Sequence, residues 1–138
     1  MNRSRELAEV LMHKARGDAS MLGVLMKNPR MPDWGVGFHA QQAVEKALKA
    51  VLGALGVNYT YTHNIGLLLQ MLLESGHSVP PDGEDLSELT PFGALERYGG
   101  QSEEPEPPPS IDRSWALGAV RRTLEWAQES LDRLDARP

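Results

Sequence analysis

Four polar side chains at helical spacing are the first candidates for chemistry in this chain. His39, Gln42, Lys46 and Lys49 recur at steps of three and four residues. On a helix with about 100° between residues they form one ridge. An imidazole, an amide and two ammonium groups supply the hydrogen-bond donors that suit phosphate oxygens and base edges. The ridge therefore predicts a surface for a phosphate- or base-bearing ligand.

The same pattern also fits an ordinary solvated helix face. Small and apolar residues lie on the opposite side at the spacing of a buried face. They are Ala40, Ala43, Val44, Ala47, Leu48, Val51, Leu52 and Leu55. Glu45 and Lys49 are four residues apart, which makes a favourable pair on a helix surface. Both interpretations require an amphipathic helix, which we expect to begin near Asp33, as its cap, and to end around Gly56.

Most other sites that a short sequence can reveal are missing here. The chain has no cysteine, which excludes disulfides and thiolate metal sites. Its four histidines, at positions 13, 39, 63 and 77, include no His-x-x-x-His pair, and we expect no metal. There is no Gly-x-Ser-x-Gly nucleophile motif, no Walker loop and no Gly-x-Gly-x-x-Gly run. No cofactor is therefore expected.

Length and composition predict one soluble domain over residues 1–138. A domain of this size buries roughly two-thirds of its unfolded surface, enough for a core. No apolar run of about 18 residues predicts a membrane span, and no signal-like block opens the chain, so we expect a cytoplasmic protein. The net charge of -5 argues against broad binding to duplex DNA, although a local basic patch is compatible with it.

The apolar periodicity predicts an all-α fold, an antiparallel up-and-down bundle of four to five helices with short extra helices. The first helix starts at a Ser4 cap, and a short helix after His63 is capped by Asn64 or Thr62. The expected long helices cover residues 4–27, 33–56 and 111–134. A helix of about ten residues starts at 65, and short helical turns lie at 85–89 and 92–98. Residues 99–110, rich in proline and glutamate, predict a stiff acidic loop within the domain.

Two tryptophans lie outside the core seam predicted for the last helix. That seam alternates at three and four residues through Leu117, Val120, Leu124, Ala127, Leu131 and Leu134. Trp115, Ala119, Arg122 and Trp126 form a second row, well over 100° away. Such a row indicates a second packing partner, either within the chain or in another copy. We expect Trp115 and Trp126 to lie at a homodimer interface.

The helix expected over residues 33–56, called the signature helix from here on, also carries a family resemblance. The run Phe38-His-Ala-Gln-Gln-Ala-Val-Glu-Lys-Ala-Leu-Lys-Ala50 resembles the signature of the HEPN family, which is named for a nucleotide-binding domain of higher eukaryotes and prokaryotes. Three further pieces agree in order: a first helix punctuated by Ala15 and Asp18, the step His63-Asn64-Ile65, and Arg97-Tyr98 before the last helix. The resemblance covers nearly the whole chain.

This resemblance implies a ligand site and a partner. It implies that a nucleotide or an RNA contacts His39, Gln42, Lys46, His63 and Arg97. It also suggests a structural role for Asp18, which interrupts the apolar stripe of the first helix, with Arg97 or a basic residue of the signature helix as its partner. Small stand-alone HEPN proteins are similar to the partners of minimal nucleotidyltransferase proteins in two-component, toxin-antitoxin-like systems.

Many HEPN proteins are metal-independent ribonucleases that carry Arg, four to six residues, then His, paired across a dimer. In this chain no arginine is followed by histidine at that spacing, and the positions after Arg97-Tyr98 hold Gly, Gln, Ser and Glu. We therefore expect a non-catalytic nucleotide- or RNA-binding bundle. Two alternatives stay open: an endoribonuclease with a degenerate active site, and a helical adaptor that binds protein alone.

Overall fold

The computed structural model describes residues 3–59, 61–93 and 110–137, and every element in these ranges is helical. Four α-helices and a 3₁₀ segment follow one another along this part of the chain. They are α1 (Arg3–Leu25), α2 (Asp33–Ala54), α3 (Ile65–Glu74), the 3₁₀ segment (Gly83–Gly93) and α4 (Arg113–Asp135). The predicted all-α bundle is confirmed. Arg97, the second half of the turn expected at 92–98 and the acidic loop up to Pro109 lie outside the described residues.

Helix α2 is the centre of the bundle. It packs against α1, α3, α4 and the 3₁₀ segment. Its inward face combines small and branched side chains, all fully buried, which lets neighbouring helices approach closely. These residues are Val36, Ala40, Ala43, Val44, Ala47, Leu48, Ala50, Val51 and Leu52. The apolar face predicted for the signature helix is therefore the core of the molecule.

Two glycines end the central helices as expected for left-handed C-terminal caps. Gly56 and Gly76 both have a φ of +78°. After α2, the Val57 N–H donates to the carbonyl of Leu52; after α3, the N–H of His77 donates to that of Leu72 in the same way. The end of the signature helix near Gly56 was predicted correctly, and Gly76 fixes the end of α3 by the same mechanism.

The predicted N-terminal caps are only partly right. Asn64 caps α3 and accepts from the Leu67 N–H at 3.1 Å, as expected. Ser4, by contrast, is the second residue of α1. Asp33 is the first residue of α2, behind Pro32 in the cap position. The Asp33 carboxylate binds Arg113 Nε at 2.9 Å instead, which fastens the start of α2 to the start of α4.

The buried face of α4 is broader than predicted and lies between the two rows that the sequence suggested. Leu117, Leu124 and Leu134 are only partly buried. The buried positions are Ala116, Ala119, Val120, Thr123, Trp126, Ala127, Ser130 and Leu131. Small side chains carry much of this face, so a pattern drawn through the large apolar residues was displaced from it.

Trp126, which the sequence analysis expected at a dimer interface, packs within its own chain. Trp126 is 8% exposed. Its indole N–H donates to Ser78 Oγ at 3.0 Å, and its ring meets the edge of His77 at a centroid distance of 5.8 Å. The second packing partner of the tryptophan row is therefore the connection after α3. Trp115 is half-buried against the same core.

Within the ranges described, no helix is both long enough and apolar enough to cross a membrane.

Candidate functional site

The candidate site lies on the polar side of α2, between α1 and the connection that leads to α3. The short link between α1 and α2 makes these two helices a closely packed pair, so polar side chains of α2 can reach residues in the middle of α1. The opposite flank of the same polar side faces the residues just before α3. Two carboxylates, one on each flank, organise the side chains that the sequence singled out.

On the α1 flank, Asp18 binds two residues of the signature helix. Its Oδ2 accepts a hydrogen bond from Lys46 Nζ, and its Oδ1 lies 3.2 Å from His39 Nδ1. The Asp18 side chain is 13% exposed, and a carboxylate buried to this extent is costly without such partners. Of the partners suggested for Asp18, the described residues thus supply a basic side chain of the signature helix.

On the other flank, Glu45 accepts from three donors. Its Oε1 lies 2.9 Å from Gln41 Nε2 and 2.7 Å from His63 Nδ1. Its Oε2 accepts from Lys49 Nζ at 3.1 Å. Gln41 Nε2 also donates to the backbone carbonyl of His63 at 3.1 Å, so the connection is held by both its main chain and its ring. The Lys49 ammonium lies 5.6 Å from the centre of the Tyr59 ring, within cation–π range.

Burial and hydrogen bonding act in opposite directions on the pKa of Glu45. Its side chain is only 6% exposed, and this burial by itself raises the pKa of the carboxyl group. The hydrogen bonds from Gln41, His63 and Lys49, together with the charge of Lys49, outweigh burial and hold the pKa of Glu45 below its usual value. Glu45 is therefore ionised at neutral pH.

Gln41 connects this network to the ridge. It is fully buried, and Gly93 closes over it so tightly that a Cβ at position 93 would lie 3.0 Å from Gln41 Cδ. The Gln41 carbonyl oxygen Oε1 accepts from Gln42 Nε2 at 2.8 Å. The interior network therefore reaches the half-buried ridge through the side chain of Gln42.

Both histidines of the site present the same ring atom to a carboxylate. His39 faces Asp18 through Nδ1, and His63 faces Glu45 through Nδ1. Because an ionised carboxylate only accepts hydrogen bonds, each Nδ1 carries the proton, and each Nε2 is the atom that can meet a ligand. The His63 side chain is 66% exposed. His39 is part of α2, and His63 is bound to Glu45 of α2. At 100° per residue, Gln42 lies between positions 39 and 45 around this helix.

The ridge predicted from the sequence thus forms two groups, one around Asp18 and one around Glu45, rather than one row of free donors. His39, Gln42, Lys46 and Lys49 are all half-buried. Each of the two lysines is bound to a carboxylate, so the formal charge of each pair is balanced. The cationic character that the ridge suggested is largely neutralised, and hydrogen-bonding groups dominate its surface.

Sequence reasoning missed the two residues that organise this surface from inside. Gln41 and Glu45 are polar, and they were not assigned to the buried face. Their spacing carried a signal: together with Val44 and Leu48 they continue the three- and four-residue steps of that face. A glutamine and a glutamate one turn apart in such a row indicate a buried polar pair with a further partner.

The remaining candidates lie elsewhere. Arg97 falls outside the described residues. Trp115 lines a cavity of about 340 Å³ with Phe92, Ile111 and the acidic residue Glu88, at the edges of the described ranges. In the part of the chain that the structure describes, no group of three or more histidine and acidic side chains is placed to hold a metal ion.

The fold and the site together define a class of protein. It is an all-helical bundle whose central helix carries Gln-Gln and Glu-Lys steps. Gln41 and Glu45 of these steps both bind His63 of the next connection. The family model of the HEPN domain matches residues 8–133. The chain therefore belongs to the HEPN family, as the resemblance of its signature helix indicated. No curated protein and no solved structure matches this chain.

Proposed function

We propose that this protein binds a nucleotide or the end of an RNA on the polar side of α2, as a non-catalytic HEPN partner of a minimal nucleotidyltransferase. The observation that carries the proposal is the pair of imidazoles on either side of Gln42, each oriented through Nδ1 by a carboxylate. Imidazole rings that a carboxylate orients are preorganised hydrogen-bonding groups, and preorganisation lowers the cost of binding.

The chemistry of the surface favours a small ligand over a long nucleic acid. Two balanced pairs, Asp18–Lys46 and Glu45–Lys49, leave little net charge there. Binding to a duplex depends on many phosphate contacts, which a chain of net charge -5 does not supply. Imidazole and amide groups instead match base edges and ribose hydroxyls. Under this proposal Arg97, the ligand residue implied by the family resemblance, adds the cation for a phosphate.

Calorimetric titration with mononucleotides and short RNAs tests the binding. We expect heat from at least one nucleotide and a loss of affinity of about tenfold in the Gln42→Ala variant, because one amide contact is removed. Gln70→Ala is the matched control, since Gln70 is an exposed glutamine on α3 that binds Glu74 one turn further along the same helix. A protein that gives no heat with any nucleotide, or a Gln42→Ala variant with unchanged affinity, overturns the proposal and favours the protein-binding adaptor.

Support for a nucleotidyltransferase partner comes from the family resemblance, and co-purification tests it. The protein is expressed with a minimal nucleotidyltransferase encoded beside its gene, and the complex is isolated through a tag on either chain. Recovery of both chains in a fixed ratio is the expected result. If such a gene is adjacent and its product does not co-purify, the partner assignment fails while nucleotide binding is still judged by titration.

A second candidate, metal-independent RNA cleavage, is favoured by the same two histidines. Cleavage through the ribose 2′-hydroxyl needs a proton acceptor, a proton donor and a cation near the phosphorane, and His39, His63 and Lys46 are groups of those kinds. Incubation of assorted RNAs with the protein in EDTA tests this function. Cleavage that is lost in both His39→Ala and His63→Ala makes the protein a ribonuclease, and cleavage lost in Arg97→Ala places that arginine in the reaction.

A further inference from the structure

The fold fixes the direction of the hydrogen bonds that the neighbouring amides of Gln41 and Gln42 make. Gln41 Nε2 lies 2.9 Å from Glu45 Oε1 and 3.1 Å from the carbonyl oxygen of His63. Both of these oxygens only accept hydrogen bonds, so the Gln41 amide must present its nitrogen to them. Its carbonyl oxygen Oε1 then accepts from Gln42 Nε2 at 2.8 Å. The two acceptors thus determine the orientation of both amides.

Gln42 therefore has its carbonyl oxygen Oε1 left for a ligand. Within the described ranges this atom has no hydrogen-bond partner. The side-chain nitrogen and oxygen atoms that are both buried and without a partner in those ranges are Arg5 Nη1 and Thr123 Oγ1, and Gln42 Oε1 is not one of them. Gln42 Oε1 is consequently open to solvent. It is an acceptor, whereas the residue spacing had suggested that Gln42 acts as a donor.

The two imidazoles of the site have the same polarity. His39 Nδ1 lies 3.2 Å from Asp18, and His63 Nδ1 lies 2.7 Å from Glu45. A neutral ring that donates through Nδ1 accepts through Nε2. The His63 side chain is 66% exposed, and His39 Nε2 is not among the buried atoms that lack a partner in the described part of the chain. The polar side of α2 thus has accessible acceptor atoms on His39, His63 and Gln42.

Hydrogen-bond donors lie beside these acceptors. Lys46 Nζ is bound to Asp18, the same carboxylate that meets His39, and an ammonium group has three N–H groups to share. The Lys46 side chain is 23% exposed, so a ligand can reach it. The Gln42 amide also has a second N–H group. A ligand that matches this surface must therefore donate hydrogen bonds and accept others in the same place.

A sugar hydroxyl meets this requirement better than a phosphate. An ionised phosphate only accepts, so it cannot satisfy the acceptor atoms of this surface. A hydroxyl has one O–H donor and two acceptor lone pairs, and its hydrogen rotates to suit its neighbours. A base edge carries its donors and acceptors at fixed places. Ribose carries two hydroxyls on adjacent carbons, and in an RNA chain this vicinal pair is found at the 3′ end, where the 3′ oxygen is not esterified.

We propose that the polar side of α2 recognises the vicinal 2′,3′-hydroxyls of a ribose, either in a free ribonucleotide or at the 3′ end of an RNA. Gln42 Oε1 is a specificity-determining acceptor, and Gln41 is the positioning residue that fixes the direction of its amide. This assignment rests on the function proposed above, because it names the part of the ligand that the same site binds. The phosphate is not held by Gln42 or by the two imidazoles.

Calorimetric titration with matched ligands tests this assignment. The full chain is titrated at pH 8, where an ordinary imidazole is neutral, with the four common ribonucleoside 5′-monophosphates and with their 2′-deoxy and 3′-deoxy forms. At least one deoxy form should bind about tenfold more weakly than its ribonucleotide, because an acceptor then loses its donor. Ribonucleotides and both deoxy forms that bind equally overturn the assignment but leave nucleotide binding in place. Absence of heat with every nucleotide and RNA is the failure of the proposed function itself.

The Gln42→Ala variant tests which residue meets the sugar. The affinity ratio between the ribonucleotide and the weaker deoxy form should fall from about ten to about three or less in this variant, because the hydroxyl no longer has its partner. Gln70→Ala, the exposed glutamine on α3, should keep the wild-type ratio, and circular dichroism checks that both variants stay folded. A ratio in Gln42→Ala that equals the wild-type ratio overturns the role given to Gln42.

Short RNAs with different ends distinguish the two sources of the diol. One RNA has free hydroxyls at its 3′ end, a second has a 3′-phosphate, and a third has a 5′-phosphate with a free 3′ end. Recognition of an RNA end predicts that the 3′-phosphate weakens binding by about tenfold or more and that the 5′-phosphate does not. Binding of mononucleotides without binding of any RNA assigns the site to a free ribonucleotide. Equal binding of the first two RNAs overturns recognition of the diol.

Discussion

At the scale of the residue, the burial of Glu45 determines how one flank of the polar side of α2 is arranged. As one half of an exposed pair with Lys49, it would stabilise the helix by only a few tenths of a kcal/mol. With its side chain buried, it instead accepts from Gln41, His63 and Lys49 and fixes the connection before α3. The environment of the carboxylate, rather than its spacing from the lysine, decides its contribution.

The first prediction concerns Glu45→Gln and its dependence on pH. Hydrogen bonds to a charged acceptor are worth more than neutral ones, so the variant should lose about 2–3 kcal/mol of unfolding free energy at pH 7. Because the pKa of Glu45 is lower in the folded chain, this contribution is fully present above the usual glutamate range and is lost as the pH falls below about 4. Urea unfolding of both proteins from pH 7 to pH 3 measures the difference.

The control for this series is Glu129→Gln, since Glu129 is an exposed glutamate on the outer side of α4. Its effect on unfolding free energy should stay within about 0.5 kcal/mol at every pH. A difference between wild type and Glu45→Gln that stays constant as the pH falls would contradict the role given to the ionised carboxylate.

The second prediction concerns Asp18→Ala. Removal of this carboxylate leaves Lys46 and His39 without the acceptor that they share, in a half-buried position. The variant should lose about 1–3 kcal/mol of unfolding free energy. Asp85→Ala is the control, since Asp85 is an exposed aspartate at the start of the 3₁₀ segment. Equal stability of Asp18→Ala and wild type would mean that Asp18 has no structural role.

The sequence predicted the role of a residue correctly where its main contact is with a neighbour in the chain, and failed where that contact is with a distant residue. Asn64 caps the helix that begins one residue later, so its role follows from neighbouring residues. Asp33 has the same chemistry at the start of α2, but its partner, Arg113, is 80 residues away, and the local rule failed there. Gln41 and Glu45 were missed for the same reason, since their burial depends on the connection before α3 and on Gly93.

At the scale of the element, the first turns of α2 are shaped by a close contact with the 3₁₀ segment. Gly35 and Gly37 both lie in the first turns of α2, where glycine is a weak helix former. The two glycines have different roles in the structure: a Cβ at Gly37 would lie 2.2 Å from Phe92 Cδ1, whereas a Cβ at Gly35 would have no atom within 4 Å. The ring of Phe92 lies on α2 only because position 37 has no side chain.

The third prediction follows from this contrast, and each variant is the control for the other. Gly35→Ala should raise the unfolding free energy by about 0.5–1 kcal/mol, because alanine favours the helix and meets open space. Gly37→Ala should lower it by about 1–3 kcal/mol, because the ring of Phe92 must move. Thermal unfolding of both variants measures the signs. Stabilisation by both changes would contradict the contact at Phe92.

Element boundaries were predicted well and element faces less well. The ends of α2 and α3 follow from glycines and a capping asparagine, which act within a few residues. The buried face of α4 includes Ala116, Ala119 and Thr123, whose small side chains carry little weight in an apolar pattern. The structure buries them because α2 crosses there, and a one-helix pattern contains no information about that crossing.

At the scale of the whole molecule, the order of the helices could be predicted from the sequence. The way in which the polar side chains of the site group around two carboxylates could not. An all-α bundle follows from the periodicity of each helix, and the family match over residues 8–133 agrees with it. The residue spacing on α2 predicted one partly cationic ridge. The fold instead brings Asp18 and Glu45 to its two flanks, so the surface contains two neutralised pairs and two oriented imidazoles.

The four histidines can report whether a ligand binds at the candidate site. Of the four histidines, His39 and His63 belong to the polar side of α2. His13 is exposed on α1, and His77 packs against Trp126 of α4. The protein thus contains two reporters that belong to the candidate site and two that make no contact with Asp18 or Glu45 among the described residues.

The most direct test of the central claim is an NMR titration of these four imidazoles with mononucleotides and short RNA ends at constant pH. Binding at the polar side of α2 predicts that the ring resonances of His39 and His63 shift together and saturate, while those of His13 and His77 stay in place. If no resonance moves with any of these ligands, or if His13 or His77 shifts while His39 and His63 do not, the polar side of α2 is not the ligand site.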